Sequence, residues 1–201
     1  MSKIIAIMLL LCSGRMLFGC ADDNGRRKAE QQKTIVVTDS VGRKVELPYP
    51  LERVAVCNVY NAELITAVGA IDKIVGVDNY IFKDQSGFKN RFNEAQVFGI
   101  SQNAMNYEKL AELAPQAVII TGEGTWRDAQ EMLDRFGIKV IVINSYYTDQ
   151  FADNCRLIGR IFGREEQAEE LVNYFNDKLA YIQKQLQGVP RRSLYFEYRT
   201  L

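Results

Sequence analysis

"VAVCNVYNAELITAVG", residues 54–69, changes period halfway along. Val54-Ala55-Val56 is a short apolar run, too short for a helix and suited to a buried strand. From Ala62 to Val68 the apolar residues Leu64, Ile65 and Val68 recur at helical spacing, and Gly69 follows as a stop. A strand feeding a helix is the unit from which parallel sheets are built. Between the two lie Cys57, Asn58, Val59, Tyr60 and Asn61, a polar and aromatic cluster at the carboxyl end of the predicted strand.

The same rhythm recurs on both sides. Upstream, "TIVVTDSVGRKVEL" predicts two short strands around a turn at residues 39–42, closed by Pro48 and Pro50. Downstream, "KIVGV" (73–77), "AVIIT" (117–121) and "KVIVI" (139–143) read as strands, nearly all apolar, as buried parallel strands are. They alternate with helices predicted over 107–113, stopped before Pro115, over 126–136 with Ala129, Met132, Leu133 and Phe136 as the apolar face, and over 151–162. The fold class is α/β, with a Rossmann-like, mainly parallel sheet.

Past Gly163 the pattern changes. Ala168, Leu171, Val172, Phe175, Leu179, Ile182 and Leu186 fall at spacings of three and four, ahead of Gly188 and Pro190. They predict one long amphipathic helix over 164–187, about 36 Å at 1.5 Å per residue. "SLYFEY" (193–198) then reads as the opening strand of something new.

The amino terminus is of another kind. Lys3 precedes "IIAIMLLLC", nine apolar or cysteine residues, where a bilayer-spanning helix needs about 20. A charged start and a short apolar core read as a secretory signal. "LFGC", ending at Cys20, resembles the bacterial lipoprotein lipobox, with Arg15 as a departure from that pattern. By that resemblance Cys20 becomes the lipidated first residue of the mature chain. Residues 21–33, "ADDNGRRKAEQQK", hold almost no large apolar side chain and read as a flexible tether. Past Cys20 only Cys57 and Cys155 remain. Outside the cytoplasm they could pair, or stay two separate buried thiols.

Composition excludes several functions. Lys+Arg and Asp+Glu both number 25 in the 201 residues, so the charge balance does not point to nucleic acid. The chain has no histidine, which removes Ser-His and Cys-His nucleophiles and the sites zinc and manganese normally use. "GEG" (122–124) invites a dinucleotide reading, but Arg127 stands where the third glycine belongs. An enzyme on this sheet would need a cofactor fingerprint or a nucleophile–base pair, and neither is visible. No resident cofactor, metal or catalytic residue is read in the chain.

Ligands of open parallel sheets bind outside the carboxyl ends of the strands. The first end carries Asn58, Tyr60 and Asn61, the second Asp78, Asn79 and Tyr80, the third Thr121 to Trp126, the fourth Asn144, Ser145, Tyr146 and Tyr147. Aromatic rings beside amides and carboxylates suit a broad, partly apolar ligand with polar edges.

In order, "LERVAV", "AELITAVGAIDKIVGVD", "MNYEKLAELAPQAVII", "LDRFGIKVIVI" and "CRLIGRIFGREEQAEELV" resemble the solute-binding lipoproteins of bacterial ABC importers for iron–siderophore complexes, haem and vitamin B12. The resemblance implies two α/β lobes bridged by one long helix, with ligand held in the cleft between them. It divides the chain into a signal peptide (1–20), a tether (21–33), an amino-terminal ligand-binding lobe (34–163), the bridging helix (164–188) and the start of a second lobe (189–201). So read, the chain is the amino-terminal half of such a protein. The resemblance implies a metal chelate, ferric or corrinoid, as cargo. Tyr60, Tyr80, Trp126, Tyr146 and Tyr147 would stack on it or ligate it, and Asn61 and Glu123 would hydrogen-bond to it. The partners implied are an ABC permease with its ATPase and, through the lipid, the membrane. Glu108 is the expected permease-docking carboxylate; its place also suits the amino end of its helix. The alternative is a lobe that works only with another chain supplying the second.

Overall fold

A computed structural model describes residues 33–84 and 86–196. Cys20, the leader, most of the tether and the end of the last predicted strand lie outside them.

The hairpin forms as expected: β1 (Thr34–Thr38) and β2 (Lys44–Pro48) pair antiparallel, Thr34 opposite Pro48. The buried Asp39 closes it. Its carboxylate accepts from the backbone N–H of Val41 and Arg43 and forms an ion pair with the Arg43 guanidinium at 2.6 Å.

The sheet that organises the molecule has four parallel strands: β3 (Val54–Val56), β4 (Ile74–Val77), β5 (Ala117–Ile120) and β6 (Lys139–Val142), in the order β4-β3-β5-β6. Among the described residues six α-helices follow or flank them: α1 (Val59–Ala67), α2 (Asn79–Lys83), α3 (Tyr107–Leu113), α4 (Trp126–Asp134), α5 (Phe151–Phe162) and α6 (Glu165–Gln185). Strand residues alternate between two cores. Val54, Val56, Ala117, Ile119 and Ile141 pack with Ile65 of α1, Ile158 of α5 and Val172 of α6. Ala55, Val118, Ile120, Val140 and Val142 pack with Leu110 of α3 and Leu133 of α4. This period-two partition explains why the strands are apolar throughout: both faces are covered.

Cys57 belongs to the second core and Cys155 to the first, and both are free thiols. The structure therefore settles their pairing: they do not form a disulfide. Burial raises both thiol pKa values, that of Cys155 to about 11.

Helix α6 lies against α5 because Gly159 lets it. A Cβ there would meet the Ala168 Cβ at 2.5 Å. Phe151 stacks on Phe175 with ring centroids 4.1 Å apart. Beyond that contact the apolar stripe runs out into solvent: Leu179 is 41% exposed, Ile182 50% and Leu186 57%. Leu194, Tyr195 and Phe196 are also exposed and form no strand, so the expected opening strand is absent among the described residues. Helix α4 ends two residues before its expected limit, and Phe136 faces solvent rather than completing the apolar face.

Candidate functional site

The carboxyl ends of β3 and β5 sit at the place where strand order reverses, since β4 lies on one side of β3 and β6 on the far side of β5. A crevice is expected there. A cavity of about 560 Å³ opens at this point, lined by Asn58, Tyr60 and Glu63 after β3, Asp78 and Tyr80 after β4, Ser101 and Gln102 from a loop, and Thr121 and Glu123 after β5. A second cavity of about 260 Å³ lies beyond Tyr60 and Glu63, which line both, and reaches Ser145, Phe151 and Leu171.

The rim is held from beneath. Asn58 has φ 77°, a region rare for residues other than glycine and enriched in asparagine. Its N–H donates to an Asp78 carboxylate oxygen at 3.1 Å, and its own side-chain oxygen accepts from the N–H of Tyr60 at 2.9 Å, capping α1. The other Asp78 oxygen caps α2 through the N–H of Ile81 at 3.0 Å. Burial raises the Asp78 pKa, and these backbone donors partly offset the shift. One buried carboxylate thus fixes the starts of both helices that carry the rim tyrosines. Tyr60 is 55% exposed and Tyr80 63%, each presenting a free ring.

The β5 and β6 ends are tied more tightly. The Gln102 carbonyl accepts from the Thr121 N–H at 3.0 Å and hydroxyl at 2.8 Å, while its amide donates to the Glu123 backbone carbonyl. The Asn144 side chain accepts from the Gly122 N–H at 2.7 Å. The Tyr146 hydroxyl donates to a Glu123 carboxylate oxygen at 3.0 Å, and its ring lies 4.4 Å from that of Tyr147. Burial, then bonds to Tyr147 and Glu123, push the Tyr146 pKa up.

Of the seven expected ligand-binding residues, Tyr60, Tyr80 and Glu123 line the 560 Å³ cavity. Tyr146 reaches it through Glu123, and Tyr147 stands beside Tyr146. Two are placed elsewhere. Asn61 is buried, its amide donating to the Cys57 carbonyl at 3.2 Å and its oxygen accepting from the Ser145 hydroxyl at 2.7 Å. Trp126 is also buried, with the Arg43 and Arg127 guanidiniums each over its ring, 4.2 and 4.1 Å from the ring centroid. It joins the hairpin to α4 and does not line the cavity. Glu108 sits exposed in the first turn of α3. Sequence reasoning missed Glu63, Ser101 and Gln102. Glu63 was legible as the polar side of α1; the loop bearing the other two has no periodicity to read.

Residues 54–198 match the family described as periplasmic binding protein. The chain belongs to that family. Two curated relatives, both from Bacillus subtilis (strain 168), agree along nearly all of it. The ABC transporter substrate-binding lipoprotein YvrC is 23% identical over 199 residues, covering 94% of this chain and 61% of its own length. The iron(3+)-hydroxamate-binding protein YxeB is 26% identical over 191 residues, covering 94% and 54%. A solved periplasmic solute binding protein from Veillonella parvula is 28% identical, with a TM-score of 0.64 over 79% of this chain and 50% of that one. This periplasmic binding protein chain therefore spans between half and two thirds of the length of these relatives.

Proposed function

We propose that the chain forms the amino-terminal wall of a ligand cleft in an ABC-importer substrate-binding lipoprotein. It captures a metal chelate, of the iron–siderophore, haem or cobalamin kind, outside the cytoplasmic membrane and delivers it to the permease. The observation that carries this reading is the cavity at the strand-order reversal, flanked by the exposed rings of Tyr60 and Tyr80. An open face with free aromatic rings suits stacking on a large, flat-sided ligand. The names of YvrC and YxeB point the same way. In this reading the protein binds rather than catalyses, α6 is the bridge to a second lobe, Cys20 carries the lipid and Glu108 meets the permease. The exposed stripe at Leu179, Ile182 and Leu186 supports the bridge, because it offers an apolar face for a second wall to cover.

The test is titration of the purified chain with a ferric trihydroxamate, haem and cobalamin, followed by tryptophan fluorescence, alongside a Tyr60→Ala, Tyr80→Ala double variant. At least one ligand should quench the parent and bind the variant at least tenfold more weakly. Equal binding by both proteins, or none of the three bound by the parent, would overturn the reading.

A further inference from the structure

Among the described residues, neither cavity is lined by a lysine or an arginine. Glu63 lines both and Glu123 lines the larger. Of the donors at or beside the larger cavity, the Gln102 amide bonds the Glu123 carbonyl, the Thr121 hydroxyl bonds Gln102 and the Tyr146 hydroxyl bonds the Glu123 carboxylate, while the lining hydroxyls of Ser101, Tyr60 and Tyr80 are uncharged donors. The charged lining is carboxylate alone: Glu63 and Glu123, with Asp78 buried beneath the rim and bonded to backbone N–H groups; these and the π faces of Tyr60 and Tyr80 attract positive charge. A concave wall lined by one sign of charge concentrates that field at the ligand.

We propose that this wall selects its chelate by charge, favouring a cationic or neutral complex over an anionic one, with Glu63 and Glu123 as the selecting residues. Ferric iron held by three hydroxamates is neutral at its centre, so any pendant group sets the net charge. Ferric iron held by three catecholates carries three negative charges, and the wall opposes it. The proposal rests on the chelate-binding reading above and goes further by naming the charge class.

The experiment holds the iron coordination constant and changes only the pendant group. Ferrioxamine B carries one positive charge, its N-acetyl derivative none and its N-succinyl derivative one negative charge. The affinity of the purified chain for each is measured at low ionic strength, and again for a Glu63→Gln, Glu123→Gln variant whose thermal midpoint is recorded alongside. Affinity should fall about tenfold per unit of negative charge, as expected for carboxylates at several ångströms in partly screened surroundings. The double variant should flatten the series to within about twofold at an unchanged midpoint. If all three bind the parent equally, if the anionic form binds best, or if the gradient survives in the variant, charge selection is wrong while chelate binding stands. If none of the three binds, the chelate-binding reading fails for this ligand class and the selection fails with it.

Discussion

The two halves of the sheet's carboxyl edge are built for different work. At the ends of β3 and β4 the backbone is held from below by Asp78 and Asn58, and Tyr60 and Tyr80 stand free above it. At the ends of β5 and β6 the side chains hold one another: Gln102 on Thr121, Asn144 on Gly122, Tyr146 on Glu123. Both edges show the same amides and aromatics in the sequence. Whether a polar or aromatic group is available to a ligand depends on whether its bonding capacity is already used, and only the β3–β4 edge leaves large rings unengaged.

Trp126 and Tyr60 give the sharpest contrast. The indole is buried and in contact with two guanidiniums, so Trp126→Ala should destabilise the fold by about 3–5 kcal/mol, the usual cost of emptying a buried aromatic site. Chemical denaturation measures this, and an unchanged midpoint would remove Trp126 from the structural side of the comparison. Asn61 comes next. Truncation to alanine leaves the Cys57 carbonyl without its amide donor and frees the Ser145 hydroxyl, for about 1–3 kcal/mol. If Asn61→Ala instead weakened chelate binding at constant stability, the assignment of this amide to the interior would be wrong.

Asp78 supplies a pH test. Its folded pKa is raised because burial disfavours the carboxylate more than the backbone donors favour it. The folded state therefore holds this proton more tightly than the unfolded chain. The group's contribution is most favourable below the unfolded value of 3.8 and declines as pH rises through the higher folded value. Subtracting the stability–pH curve of Asp78→Asn from that of the parent should isolate this decline. A difference curve that rises over the same interval would reverse the sign. The smallest effect belongs to Tyr60→Ala, which should change stability by less than about 0.5 kcal/mol because the ring is mostly in solvent. A larger loss would move Tyr60 into the packed rim.

The strands were legible because each is a short apolar run that needs cover on both faces, and α5 and α6 because their apolar residues recur every three or four positions. The start of α1 at Val59, three residues ahead of the periodic segment, was not, because it depends on the Asn58 cap and on Asp78 twenty residues away. Helix α2 is too short to show a period. The strand-end clusters pointed to the edge where the cavity opens, yet composition could not say which way a side chain points. Asn61 follows Tyr60 directly, and one helical step of 100° turns it from the cavity to the core. Trp126 opens α4 on the covered side for the same reason, with Arg43 of the hairpin closing over it.

The central claim is that the cavity between the ends of β3, β4 and β5 is where ligand sits. Amide chemical-shift mapping with the gallium complex of desferrioxamine B, diamagnetic and close in size to the ferric one, tests it directly. Perturbations should gather at Tyr60, Glu63, Tyr80, Gln102 and Glu123, leaving the Trp126 indole unmoved. Shifts centred on Trp126 and the hairpin, or no saturable shift at any of the five cavity residues, would contradict it.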